Sequence, residues 1–244
     1  MHSAIAVGAP SLLSLAPARL WDADSAPTGT VSSWASRAGS SIATQGTPAN
    51  QPAAPAACTR LRNRLAVPFD GTDRLLDGSD LNCSAAWTAL RVFDLDALKN
   101  EHGILRLASS EITGGGGVCA YVTSAGHLVI ASADTSWYRI AYDSMVASTA
   151  YAVLASCDGT EPGLTLEVGT IGSGTITWST RTLTAISGTF AMPAATGQRV
   201  VLGGGWSSAG SLLAGRSAVE AWWTRVLTTA EKSAAKAIIK REYT

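Results

Sequence analysis

At 244 residues the chain is long enough for an all-β sandwich to bury roughly 70–75% of its unfolded surface, so a core does not depend on disulfides or metals. Lys and Arg number 18 and so do Asp and Glu, for a formal net charge of +0, which leaves no dominant field to draw nucleic acid or an anionic membrane. No nucleic-acid partner is expected, and no stretch is apolar over the roughly 20 residues that a membrane helix needs, so no membrane insertion is expected either.

Residues 1–18 are mostly apolar, and Ala16-Pro17-Ala18 resembles a signal-peptidase site. Yet no Lys or Arg precedes the apolar stretch and Pro10 interrupts it, so the segment reads as an N-terminal extension of one domain covering 1–244 rather than as an export signal. The Pro-, Ala- and Thr-rich stretch from Thr47 to Ala57 reads as a loop.

Strands are expected at Trp87 to Phe93 and Ile104 to Leu107, followed by a flexible turn at Gly114 to Gly117. A hairpin runs from Val118 to Val122 and returns through Ala125-Gly126 into Leu128 to Ala131, with a further strand from Trp137 to Tyr142. The clearest hairpin starts at Tyr151, where Tyr151, Val153 and Ala155 share one side. The chain turns at Asp158-Gly159, and Leu164, Leu166 and Val168 then line one face of the returning strand. Strands at Thr175 to Thr180, Val200 to Leu202 and Ala218 to Trp223 complete two antiparallel sheets packed face to face, with a long irregular loop from Ile186 to Gly197 broken by Pro193.

One helix is expected, at 228–242. Thr228-Thr229-Ala230-Glu231 fits a capping box, Ala235, Ile238 and Ile239 form an apolar stripe, and Lys232, Lys236 and Lys240 fall on wetter faces.

Cys58, Cys83, Cys119 and Cys157 stand dozens of residues apart, which matches no zinc spacing. They read as free, mostly buried thiols, with a Cys58–Cys83 bridge as the alternative. His2, His102 and His127 offer neither metal-helix spacing nor a nucleophile elbow. Asp70, Asp73, Asp77 and Asp80 are the densest acidic stretch. They are the candidate oxygen ligands for Ca²⁺, against the competing reading of ordinary turn-forming Asp; no other cofactor is expected.

Several segments, in order, resemble the laminin-G-like (concanavalin A-like lectin/glucanase) family. They are Leu20-Trp21-Asp22-Ala23-Asp24, Val31-Ser32-Ser33-Trp34, Ala43-Thr44-Gln45 and, most recognisably, Ala66-Val67-Pro68-Phe69-Asp70-Gly71-Thr72-Asp73. The Asp158-Gly159 hairpin, Gly203-Gly204-Gly205, and the close from Val219-Glu220-Ala221-Trp222 to Arg225-Val226-Leu227-Thr228 are similar to later family elements. The resemblance implies an all-β, two-sheet antiparallel jelly-roll sandwich with a C-terminal α-helix. It departs from the family at Ser36-Arg37-Ala38-Gly39-Ser40, where members often carry an acidic residue and an Asn-containing turn, so no cation site is carried over to that loop.

Glucanases of similar fold use Glu-x-Asp-x-x-Glu, because an acid and a nucleophile must flank the bond about 5 Å apart for retention. This chain has no such segment. Its nearest pair, Asp94 and Asp96, shares one side of a strand and reads as a solvated strand end.

Exposed tryptophans would give sugar rings an apolar platform. Trp206, beside a glycine run, and one of the adjacent Trp222 and Trp223 are the carbohydrate-binding candidates, with burial of the pair against the terminal helix or another subunit as the simpler alternative. The resemblance implies a non-catalytic structural or adhesion protein: a bacteriophage virion component, either capsid decoration or tail-associated, with carbohydrate binding. Its partners would be other virion or surface proteins and cell-surface glycans, in a homo-oligomer or larger assembly. Its place would be the phage particle, otherwise the bacterial cell surface or secreted. A free-standing lectin and a glycan-cleaving enzyme of the same fold are the alternatives.

Overall fold

Period-two alternation organises the chain into strands. In the computed structural model, which describes residues 10–81, 83, 86–99, 101–108, 117–132, 137–191, 197–204 and 212–244, the strands are short before residue 86 and longer after it. The early ones are β1 (Arg19–Asp22), β2 (Ser33–Ala35), β3 (Ile42–Thr44), β4 (Ala56–Cys58), β5 (Arg64–Asp70) and β6 (Leu75–Asp77). Next come β7 (Trp87–Leu95), β8 (His102–Ala108), β9 (Val118–Val122), β10 (Leu128–Ser132), β11 (Trp137–Ala141) and β12 (Thr149–Cys157). The series closes with β13 (Thr165–Ile171), β14 (Ile176–Arg181), β15 (Thr184–Ser187), β16 (Arg199–Leu202), β17 (Ala214–Trp223) and the helix α1 (Thr229–Tyr243).

The first sheet has the order β14-β13-β12-β7-β17-β5-β4, with β1 also on β17; the second runs β15-β11-β10-β9-β8-β16-β6-β3-β2. Both are antiparallel throughout the described pairings. One edge of β17 is shared, its start pairing with β5 and its end with β1.

The sheets face each other across one core. Trp87, Phe93, Tyr151 and Val153 of the first sheet meet Leu105, Leu107, Val118, Ile130 and Trp137 of the second. The first sheet is covered on its other face too, where Leu90, Val92, Leu154, Ala221 and Trp223 pack against Ala235, Ile238 and Ile239 of α1. That third layer explains why every residue of β7 is buried, its polar ones included: a strand covered on both faces has no wet side.

The capping box forms as the sequence predicts, Thr228 N donating to Glu231 Oε2 at 2.8 Å and Glu231 N to Thr228 Oγ1 at 3.3 Å. The helix ends at Tyr243. Two of its lysines reach inward rather than into water, Lys232 Nζ to Ser156 Oγ and Lys236 Nζ to Glu167 Oε2, both at 2.6 Å.

Elsewhere β15 takes the first residues of the expected Ile186 loop, because Thr184 and Ala185 find open partners on β11. Of the Gly114 to Gly117 turn, only Gly117 lies among the described residues. All four cysteines are free and buried. Cys58 sits on the helix side of the first sheet and Cys83 in the inter-sheet core, so the alternative bridge has a sheet between its ends.

Candidate functional site

The Phe-Asp-Gly segment ends β5 at the rim of the first sheet, and two glycines let other backbones close in around it. Gly203, at φ +73, lies under the Phe69 ring, where a Cβ would overlap it. A Cβ at Gly215 would strike the Asp94 carbonyl oxygen. A recess of about 400 Å³ opens there, lined among others by Gln51, Pro68, Asp70, Asp73, Asp96 and Gly215.

The turn is built by its own carboxylates. Asp70 Oδ1 accepts from Thr72 N and from Thr72 Oγ1, each at 2.7 Å, an Asx turn made possible by Gly71 at φ +95. Asp70 N in turn donates to Asp73 Oδ2 at 3.1 Å, which folds the second carboxyl under the first. Burial pushes the Asp73 carboxyl up to about 6, and the charge of Asp70 adds to the rise against the pull of the Asp70 amide. Burial acts on Asp70 as well, but the Thr72 hydroxyl and amide outweigh it and hold that group below the ordinary carboxylate range. The two neighbouring carboxyls therefore shift in opposite directions.

Asp94 and Asp96 close the site's inner side. They share one side of the strand end, as their spacing implies, but the expected solvated strand end describes only Asp96. Asp94 is fully buried and gripped by Arg60 through Nε and Nη2, both at 2.6 Å, and by Arg216 Nη1 at 3.0 Å. Asp96, about half exposed, accepts from Arg216 Nη1 at 3.4 Å and from Arg60 Nη2. Two guanidiniums thus balance two carboxylates. Hydrogen bonding to Asp94 pushes Arg60 further up from its ordinary range.

The four-aspartate calcium site is not assembled. Asp70 and Asp73 share the recess, whereas Asp77, at the end of β6 in the other sheet, is buried on Arg19 Nε at 2.8 Å and on the Ser41 hydroxyl. Asp80 pairs with Arg199 Nε at 3.2 Å. Each of these two is neutralised by its own arginine, and among the described residues no group of three or more His, Cys, Asp or Glu is placed to hold a metal.

The tryptophan candidates are corrected as well. Trp222 and Trp223 face opposite sides of β17, as alternation requires, yet each is only 1% exposed. Trp222 lies in the inter-sheet core, 6.1 Å from the Trp87 ring, with Nε1 donating to Glu220 Oε1 at 2.9 Å. Trp223 lies under the helix and donates to Leu15 O at 2.8 Å, which is the simpler alternative the sequence offered. Neither presents a ring to a sugar, and Trp206 lies outside the described residues. The exposed aromatic that sequence reasoning missed is Tyr142, 70% exposed and edge-on to His127 at 5.3 Å. Gln51, Arg60 and Arg216 were missed too, because each reaches the site from a distant segment with no local signature.

No family model matches the chain, and no curated protein matches it. Its architecture does have solved counterparts. An α-L-arabinofuranosidase soaked with cyclic sulfate inhibitor superposes with a TM-score of 0.56 at 13% identity, over 88% of this chain and 51% of that one. An arabinofuranosidase complexed with arabinofuranosyl-α-1,2-xylobiose gives 0.54 at 13% identity with the same coverage, 88% and 51%. Trypanosoma rangeli sialidase in complex with sialic acid gives 0.53 at 13% identity, over 94% of this chain and 34% of that one. The chain therefore spans about half of the first two and a third of the last. At these identities the likeness is one of fold, and the fold is an antiparallel jelly-roll sandwich.

Proposed function

We propose that the chain is a non-catalytic, glycan-recognising sandwich that serves as a surface or adhesion module, and that the Asp70–Asp73–Asp96 recess is its sugar site. The observation that carries this reading is the recess itself: a rigid turn sets the Asp70 and Asp73 carboxyl groups beside Gln51 and Asp96 in one opening. Sugar hydroxyls both donate and accept, so carboxylate acceptors beside the amide of Gln51, which can donate, meet both needs without any bond being broken.

A glycan-cleaving enzyme is the second reading, favoured by the Asp73 carboxyl standing near 6, where general acids work. The spacing favours binding instead. Asp73 accepts from the Asp70 amide, so the two carboxyl groups share one turn rather than straddling a glycosidic bond, and Asp94 and Asp96 are engaged by Arg60 and Arg216.

Placement on a phage particle, as capsid decoration or tail-associated protein, rests on the laminin-G-like resemblance of the Phe69-Asp70-Gly71 segment and its neighbours. On that reading the partners are other virion proteins, and a free-standing lectin would lack them.

A glycan array probed with the full chain and with Asp73→Ala tests the proposal. Binding to a defined subset of glycans that is lost in the variant supports it. No binding, or binding unchanged in the variant, overturns it. Release of reducing ends from a bound polysaccharide, lost on Asp73→Asn, would establish the enzyme instead. Co-sedimentation with assembled particles separates the virion protein from the free lectin.

A further inference from the structure

A second cleft, of about 280 Å³, is linked to the recess by an ion pair between a residue of each. It is lined among others by Thr59, Arg60, Arg62, Ser148, Thr149 and Ser173, and Arg60 reaches from it to Asp96 in the recess wall. At this junction Arg60 and Arg216 are balanced by Asp94 and Asp96, and Arg62 stands beside them with no Asp or Glu side chain paired to it among the described residues. Arg62 gives one N–H to the Thr244 oxygen at 3.3 Å and keeps its other donors for solvent. Arg60 spends Nε and Nη2 on the carboxylates, and its Nη1 makes no hydrogen bond among the described residues.

The hydroxyls of Thr59, Ser148 and Ser173 are exposed and unbonded among the described residues. The cleft is also held under strain: Arg62 at φ +59 and Ser148 at φ +57 are two of the five non-glycine residues with left-handed backbone among the described residues, a conformation that gathers at functional sites.

We infer that this cleft is an anionic subsite, which takes a carboxylate or sulfate group carried by the glycan on Arg60 and Arg62, with the hydroxyls ordering its oxygens. The inference rests on the glycan reading of the neighbouring recess and narrows its ligand to acidic saccharides. A guanidinium with free, forked donors matches such a group, and a neutral sugar would offer those donors no charged acceptor.

The test compares charged and uncharged forms of the same chains by isothermal titration calorimetry: oligogalacturonate against its methyl ester, and dextran sulfate against dextran. The pair that responds tells a carboxylate from a sulfate. The charged form of at least one pair is expected to bind about tenfold tighter, and Arg62→Gln to remove about that factor while Lys240→Gln, an exposed cation outside the cleft, does not. Arg62 is exposed, so its replacement leaves the core untouched. Equal binding within both pairs, no binding of either charged form, or equal losses in the two variants overturns the inference. Asp73-dependent binding of neutral glycans on the array would survive any of these results, so failure here is distinguishable from failure of the glycan reading.

Discussion

Arg91 of β7 and Glu220 of β17 stand opposite each other in the strand register, both fully buried, with Nη1 3.5 Å from Oε2. Arg91 also donates to Ser217 Oγ at 3.2 Å and reaches the carbonyl of Ile104 in the opposing sheet. That carbonyl is available because β8 bulges there, its register slipping between Gly103 and Leu105. Burial pushes Arg91 down and Glu220 up, and each charge offsets the effect on the other. Arg91, held by Glu220 within its own sheet, ties the two layers of the sandwich together through the Ile104 carbonyl.

Breaking it from one side strands a buried charge. Glu220→Gln is expected to cost about 3–5 kcal/mol in denaturant unfolding, whereas replacing both residues by apolar ones of similar volume is expected to be near neutral. A loss below about 1 kcal/mol for the single variant would show that Arg91 does not need its partner.

The turn at Asp73 gives stability a pH signature. Its native pKa lies above the ordinary 3.8, at about 6, so the native state binds the proton more tightly than the unfolded chain. Stability contributed by the protonated form is therefore full below the ordinary value and falls as pH rises through that window. Thermal unfolding of Asp73→Asn should show a flatter profile between pH 4 and 6 than the wild type; superimposable profiles would contradict the assignment.

How much of this was legible beforehand follows from how far apart the interacting residues are. The long strands and the capping box are local, so alternation and the Thr228–Glu231 spacing disclosed them. The Asp70 turn was legible for the same reason. The arginine grip on Asp94 was not, since Arg60 and Arg216 lie 34 and 122 residues away. Alternation also placed Trp222 and Trp223 on opposite faces, but a strand pattern does not reveal that a helix covers the second face. The acidic spacing from Asp70 to Asp80 misled because the chain passes from one sheet to the other between Asp73 and Asp77.

The helix start offers a second pH-linked test. Thr228→Ala should cost about 1 kcal/mol. The Arg225 hydrogen bond, then the Thr228 amide, hold Glu231 down at about 2, so its contribution is complete above the ordinary glutamate range and is lost as pH falls toward 2. Arg225→Gln should weaken that acid dependence in thermal melts without altering stability's slope near neutrality.

The four thiols should be silent in the native protein. Burial pushes each of them up, Cys83 to about 12, so little thiolate exists at neutral pH. Ellman's reagent should label none before unfolding and four in denaturant, and a reductant should leave the melting temperature unchanged. Fast labelling of any cysteine in the folded chain would contradict its burial.

A crystal structure of the chain soaked with a glycan identified on the array tests the central claim most directly. The account predicts an intact sugar in the recess, its hydroxyls hydrogen-bonded to Asp70, Asp73 and Asp96. A sugar seated elsewhere, or cleaved in place, would contradict it.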